Sequence, residues 1–127
     1  MLKFLWIGLG GFVGAVLRYA VSGWVQSASR SVEFPYGTLA VNMVGCLLIG
    51  VFSQVMENRG VFSAELRWCL LVGGLGAFTT FSTFGNETFN LFRDGRSAFA
   101  LANIGVQVFL GLSMVWAGRT AASAIWR

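Results

Sequence analysis

The chain has 127 residues, 56% of them hydrophobic and only 11% charged, with a net charge of +4 and a mean hydropathy of +0.71. Soluble domains carry about 25% charged residues, so this composition excludes most soluble enzymes, disordered tails and nucleic-acid binders, and the complete lack of histidine removes imidazole catalysis, histidine metal ligation and a histidine pH switch. One proline beside 17 glycines suits packed transmembrane helices, where glycine lets backbones approach closely.

Charged residues divide the sequence into four candidate spans, roughly 3–27, 37–57, 65–92 and 97–121. The first opens on Met1-Leu2-Lys3 and an apolar run from Phe4 to Leu17, a start that a secretory signal shares. Arg18 interrupts that run and three further spans follow, which favours a retained first helix. From Lys3 to Arg18 is ~22 Å of helix at ~1.5 Å per residue. Arg18 therefore either snorkels to the far headgroups or lines a vestibule.

The second span lies between Glu33 and Glu57, which bracket 23 uncharged residues, close to the ~20 that cross a bilayer. Pro35 marks its entry, where a missing N–H costs little. Asn42 lies inside it on the face of Gly45 and Ile49. An amide there must find a hydrogen-bond partner, either as glue between helices or as a pore-lining donor to an anion that has shed water.

The third span, with 19 uncharged residues between Arg67 and Glu87, contains Gly73-Gly74-Leu75-Gly76-Ala77-Phe78-Thr79-Thr80-Phe81-Ser82-Thr83-Phe84. Glycines followed by hydroxyl residues make a poor continuous helix, and a break near residues 76–81 is expected. Freed carbonyls at membrane depth would suit a cation; the alternative is a bent helix whose hydroxyls bond back to their own carbonyls. Phe78, Phe81 and Phe84 share a face if the helix holds, and Thr80, Thr83 and Glu87 form a second, polar stripe.

The fourth span, 22 uncharged residues between Arg96 and Arg119, offers Asn103 and Gln107 one turn apart. Gly10, Gly14, Gly105 and Gly111 are expected at helix contacts, and Cys46 and Cys69 as small apolar residues. The loops 28–36, 58–64 and 93–96 are short, with Asp94-Gly95 a turn signal. The chain is thus one four-helix membrane unit, and transport would require more than one copy. Lys3, Arg59, Arg67, Arg119 and Arg127 share one side, while Arg30, Arg93 and Arg96 share the other, joined by Arg18 if it snorkels there. So small an imbalance predicts insertion in both orientations and an antiparallel pair.

Three motifs resemble the Fluc/CrcB fluoride channel family: Gly11-x-x-Gly14-x-x-x-Arg18, Gly37-Thr38-Leu39-x-x-Asn42-x-x-Gly45, and Gly76-x-x-Thr79-Thr80-Phe81-Ser82-Thr83-Phe84-x-x-Glu87. The resemblance implies a fluoride-selective passive channel, multi-pass in the lipid of a bacterial inner (plasma) membrane, which exports fluoride to relieve its toxicity. It implies an all-α, dual-topology antiparallel homodimer with two pores, and no nucleic-acid partner. A structural sodium ion would sit on the two-fold axis, held by the backbone carbonyls of Gly76 and Thr79 from both subunits. Asn42, Phe81 and Phe84 would line the pore, Ser82, Thr83 and Glu87 a polar track, and Arg18 a vestibule. Asn103 and Gln107, expected along the same pathway, stand where the family often has Tyr and Ser, and Gly85 stands where Ser often follows the second Phe.

Two other classes compete. A small proton-coupled multidrug exporter of four helices would need a central carboxylate, whereas Glu87 is near a span end. A non-transporting assembly subunit would need neither a break nor a polar track. No nucleophile–base pair or metal cluster can be assembled, so an enzyme is not expected.

Overall fold

A computed structural model describes residues 1–59 and 62–125; the side chain of Arg59 and all of Arg127, two of the bases that bear on orientation, lie outside the described residues. The described residues are helical apart from short connections and one break. α1 runs Leu2–Ser29 and α2 Tyr36–Arg59. The third span is composite: α3 (Ala64–Arg67), a π-helix (Trp68–Leu75), α4 (Gly76–Phe78) and α5 (Phe81–Arg93). α6 runs Ser97–Ile125. Four segments are long and apolar enough to cross a membrane: Leu2–Ser29, Tyr36–Glu57, Ala64–Arg93 and Ser97–Ile125.

The helix ends follow local chemistry. α1 stops at Arg30, which adopts a left-handed conformation (φ 53°) and returns its N–H to Ser27. The connection to α2 is organised by Gln26. Its Nε2 donates to the carbonyls of Ser31 (2.6 Å) and Phe34 (3.2 Å), and its Oε1 accepts from the N–H of Gly37 (3.0 Å). α5 ends in a Schellman turn: Arg96 N–H returns to Leu91 and Gly95 N–H to Phe92, with Gly95 at φ 75°, a conformation glycine adopts without strain.

Large side chains contribute little to the interior. Val41, Leu75, Phe78, Leu91, Ala100 and Ala122 are among the few buried apolar residues, while Phe12, Trp24, Phe109 and Trp116 are exposed. In lipid no hydrophobic force draws helices together, and small residues allow the backbone approach that does. α1 meets the π-helix this way: a Cβ on Gly10 would collide with the backbone of Cys69, on Gly14 with Gly74, and on Gly73 with Ile7. α2 and α6 meet through Gly50 against Val115 and Gly118 against Leu47. The expectation for Gly105 is corrected, since a Cβ there meets nothing within 4 Å in this chain. Gly111 makes only ordinary contact, with Cys46 and Met43.

The third span breaks at Thr79 and Thr80, both extended (φ −88°, ψ 160° and φ −153°, ψ 109°). The three glycines before it remain helical, and Gly76 has ordinary α-helical angles (φ −61°, ψ −36°). The shared face of Phe78, Phe81 and Phe84 depended on unbroken helix, and it is lost. Phe78 is buried, whereas Phe81 is 82% exposed.

Candidate ion pathway at the helix break

A chain that leaves the helical ladder at membrane depth must find other partners for its N–H and C=O groups. Asn42 of α2 supplies two of them. Its Oδ1 accepts from the N–H of Thr80 (2.9 Å), and its Nδ2 donates to the Thr80 carbonyl (3.3 Å). The same Nδ2 donates to Oε1 of Gln107 on α6 (3.1 Å). One amide thereby joins α2, the break and α6.

Thr80 also restarts the helix. Its hydroxyl oxygen accepts from the N–H of Thr83 (3.2 Å), an N-terminal cap on α5, and donates to the Thr83 hydroxyl (2.8 Å). Ser82 Oγ lies 3.4 Å from the same hydroxyl. The N–H groups of Thr80 and Thr83 would, in a continuous helix, return to the carbonyls of Gly76 and Thr79. Both are engaged elsewhere, which releases those two carbonyls from the ladder. Gly76 is exposed on the surface of the single chain.

Around this junction lies a cavity of about 420 Å³ bordered by Asn42, Gln107, Thr79, Thr80, Phe81 and Phe84, with Gly76 and Gly45 on its wall. Phe81 and Phe84 are tilted against each other, their ring centroids 5.4 Å apart. A second cavity, about 460 Å³, holds Glu87, Thr38, Gln26, Glu33, Asp94 and Arg96. Glu87 Oε1 accepts from the Thr38 hydroxyl (2.7 Å), and its Oε2 is buried without a partner.

The structure thus gathers Asn42, Gln107, Phe81 and Phe84 at one cavity, sets Ser82 and Thr83 on the exposed first turn of α5, and leaves Glu87 at a different cavity. Asn103 borders neither. It is fully buried, and its Nδ2 donates to Thr88 Oγ1 (2.9 Å), which in turn donates to the Phe84 carbonyl (2.7 Å). Arg18 is half-buried and makes no hydrogen bond or ion pair among the described residues. The structure adds Thr80, Thr38 and Thr88 as the partners of Asn42, Glu87 and Asn103. A Thr-x-x-Thr pattern at a break is a capping signal that could have revealed the first; nothing in the sequence pairs Thr38 with Glu87 or Thr88 with Asn103.

Residues 5–119 match the family model described as CrcB-like protein, Camphor Resistance (CrcB). The chain is 45% identical over 122 residues to a protein named fluoride-specific ion channel FluC 1 from Methanosarcina acetivorans, a match covering 96% of this chain and 92% of that one. It is 46% identical to the fluoride-specific ion channel FluC of Elusimicrobium minutum, covering 97% and 95% of the two chains. The corresponding protein of Acidobacterium capsulatum is 38% identical, with 98% of each covered.

Proposed function

The chain belongs to the CrcB family, and on that premise we propose that it is a fluoride-specific ion channel, a passive pore through which fluoride leaves the cell. The observation that carries the reading is the cavity at the break, whose polar groups, Asn42, Gln107, Thr79 and Thr80, are all uncharged. Fluoride is small and strongly hydrated, so a narrow path must replace its water with donors. A fixed positive charge would trap the ion; amides and hydroxyls bind it weakly enough to release it. The edges of Phe81 and Phe84 add partial positive charge at the same cavity without a full one. Ser82, Thr83 and Glu87 would extend the track toward one membrane face, with Arg18 in a vestibule.

The pore-forming unit in this reading is an antiparallel homodimer in the plasma membrane, with two pores. Phe81, largely exposed on a single chain, would gain neighbours from the second copy. The carbonyls of Gly76 and Thr79, released from the helical ladder, fit a hard cation such as sodium. Two copies meeting there would offer four such oxygens, and the ion would act as a staple between subunits. Asn103, buried behind Phe84, would support the aromatic wall instead of lining the pore.

Purified protein in liposomes tests the reading. Fluoride efflux should be fast and independent of a pH gradient, and chloride efflux negligible. Equal chloride efflux, or a strict need for a proton gradient, would refute it; the latter is the behaviour of a proton-coupled exporter.

A further inference from the structure

Gly10 and Gly14 stand one turn apart on α1, and each meets the backbone of the third span. A Cβ on Gly10 would land on the Cys69 carbonyl and 2.9 Å from the Gly74 nitrogen. A Cβ on Gly14 would land on the Gly74 carbonyl and 3.1 Å from the Phe78 nitrogen. The step on α1 is therefore four residues, and the step that faces it, from Cys69 to Gly74, is five. The surplus residue lies inside the π-helix, which closes where the N–H of Gly76 is shared between the carbonyls of Gly73 and Leu71, the latter five residues back. From Gly74 to Phe78 the step is four again.

An α-helix could not keep both contacts. With Cys69 against Gly10, it would bring Gly73 to Gly14. Every later residue would then be ahead by one position, a rotation of about 100° and a rise of about 1.5 Å. Thr80, whose N–H and carbonyl both meet the Asn42 amide (2.9 and 3.3 Å), would turn away from it. Among the residues between Cys69 and Gly74, Val72 is the one that the packing does not use. It is 56% exposed, whereas Leu71 borders the cavity at the break and Gly73 lies against Ile7.

We propose that Gly10 and Gly14, which border neither of the two cavities, are positioning residues of the ion pathway. By seating the Cys69 and Gly74 carbonyls one turn apart, they hold the surplus residue in a π turn and so set the direction in which the break at Thr79 and Thr80 opens. A Cα–H aimed at a carbonyl oxygen is a weak donor that recurs where helices meet. Each glycine offers one where a side chain would otherwise stand. A π turn is rare in a helix left to itself, and these two seats give the third span a reason to keep one. The effect on flux rests on the fluoride reading above; the register itself does not.

Two single-residue deletions test the register. Removing Val72 should turn the π segment into α-helix with Cys69 and Gly74 four residues apart, both glycine contacts kept and Thr80 still on Asn42. Folded yield by size-exclusion chromatography, thermal midpoint and fluoride efflux from liposomes should equal wild type. Leu112, 68% exposed, lies in the continuous α6, which has no surplus to draw on. Removing it turns Val115 and Gly118 away from Gly50 and Leu47, so folded yield should be lost. Loss of folded protein on removing Val72, or equal tolerance of both deletions, would overturn the assignment. The glycines are tested by the Thr80 backbone amide in a chain labelled with nitrogen-15 threonine, its resonance assigned through Thr80→Ser. Gly14→Ala should shift that amide and abolish fluoride efflux, whereas Gly11→Ala, whose Cβ meets nothing within 4 Å, should do neither. An unmoved Thr80 amide in folded Gly14→Ala would overturn it, and should that variant fail to fold, the deletions still decide. A wild type that folds without passing fluoride would overturn the fluoride reading alone, since yield and the Thr80 amide judge the register.

Discussion

The two halves of the third span are held by opposite means. The first half, through the π-helix and α4, lies against α1 with backbone on backbone, and what positions it is the absence of side chains at Gly10, Gly14 and Gly73. The second half, α5, is held by polar side chains: Thr80 and Asn42 at its start, Thr38 on Glu87, and Asn103 on Thr88. Glycine contact is dense, apolar and intolerant of bulk. Hydrogen bonds from neighbouring helices fix direction and rotation while leaving one side of α5 open, and that open side carries Phe81, Ser82 and Thr83. A rigid anchor followed by a selectively pinned segment is a means of presenting polar backbone and ring edges within a membrane.

The largest effect should come from the glycine half. Gly14→Val places a branched side chain against the backbone of Gly74, which has no flexible atom to yield. Overpacking typically costs about 1–3 kcal/mol, and more where backbone must move. Folded yield, measured by size-exclusion chromatography in detergent, should be lost. Gly85→Ala is the control, because a Cβ there meets nothing within 4 Å in the chain, and its yield should match wild type.

Asn42→Leu should come next. It strands the N–H and C=O of Thr80, each worth about 1–3 kcal/mol when buried unsatisfied. The thermal midpoint and fluoride flux should fall together. A variant that keeps full stability would mean that the break has another source of support.

Phe81→Ile and Phe84→Ile should separate function from packing. Swaps of similar hydrophobic volume usually cost less than ~1.5 kcal/mol, and Phe81 is too exposed on one chain to hold the interior together. Flux should drop sharply while the midpoint moves little. Wild-type flux in both would reduce the pair to ordinary packing.

Thr79→Ser should have the smallest effect. The methyl group it removes packs against Gly45, and the hydroxyl that donates to Leu75 and the main-chain carbonyl both survive. A loss on the order of 1 kcal/mol in stability, with flux near wild type, is expected from parallel melting and efflux measurements.

Charge spacing alone located four spans, because a bilayer sets a length and charges mark its edges. It could not announce the π-helix, since i→i+5 bonding leaves no distinct period in so apolar a stretch. The break was legible as a run of glycines and hydroxyls, but that run could not separate the part of the glycines from that of the hydroxyl residues. The glycines are helical and serve close approach to α1, while Thr79 and Thr80 carry the extended backbone. Asn103 and Gln107 illustrate the limit of spacing. One turn apart, they suggest one role, yet a rotation of about 40° between residues i and i+4 on a helix is enough to send one into the protein behind Phe84 and the other to the cavity.

The three hydrogen bonds from Gln26 have a consequence for biogenesis. All of them span eleven residues or fewer, so the corner between α1 and α2 closes without help from any later part of the chain. Short loops close with little entropic cost and early in folding. The first two spans can therefore enter the bilayer as a finished hairpin, in whichever direction they are delivered. The third span then arrives at a wall already built, with Gly10 and Gly14 on one helix and Asn42 on the other waiting to receive it.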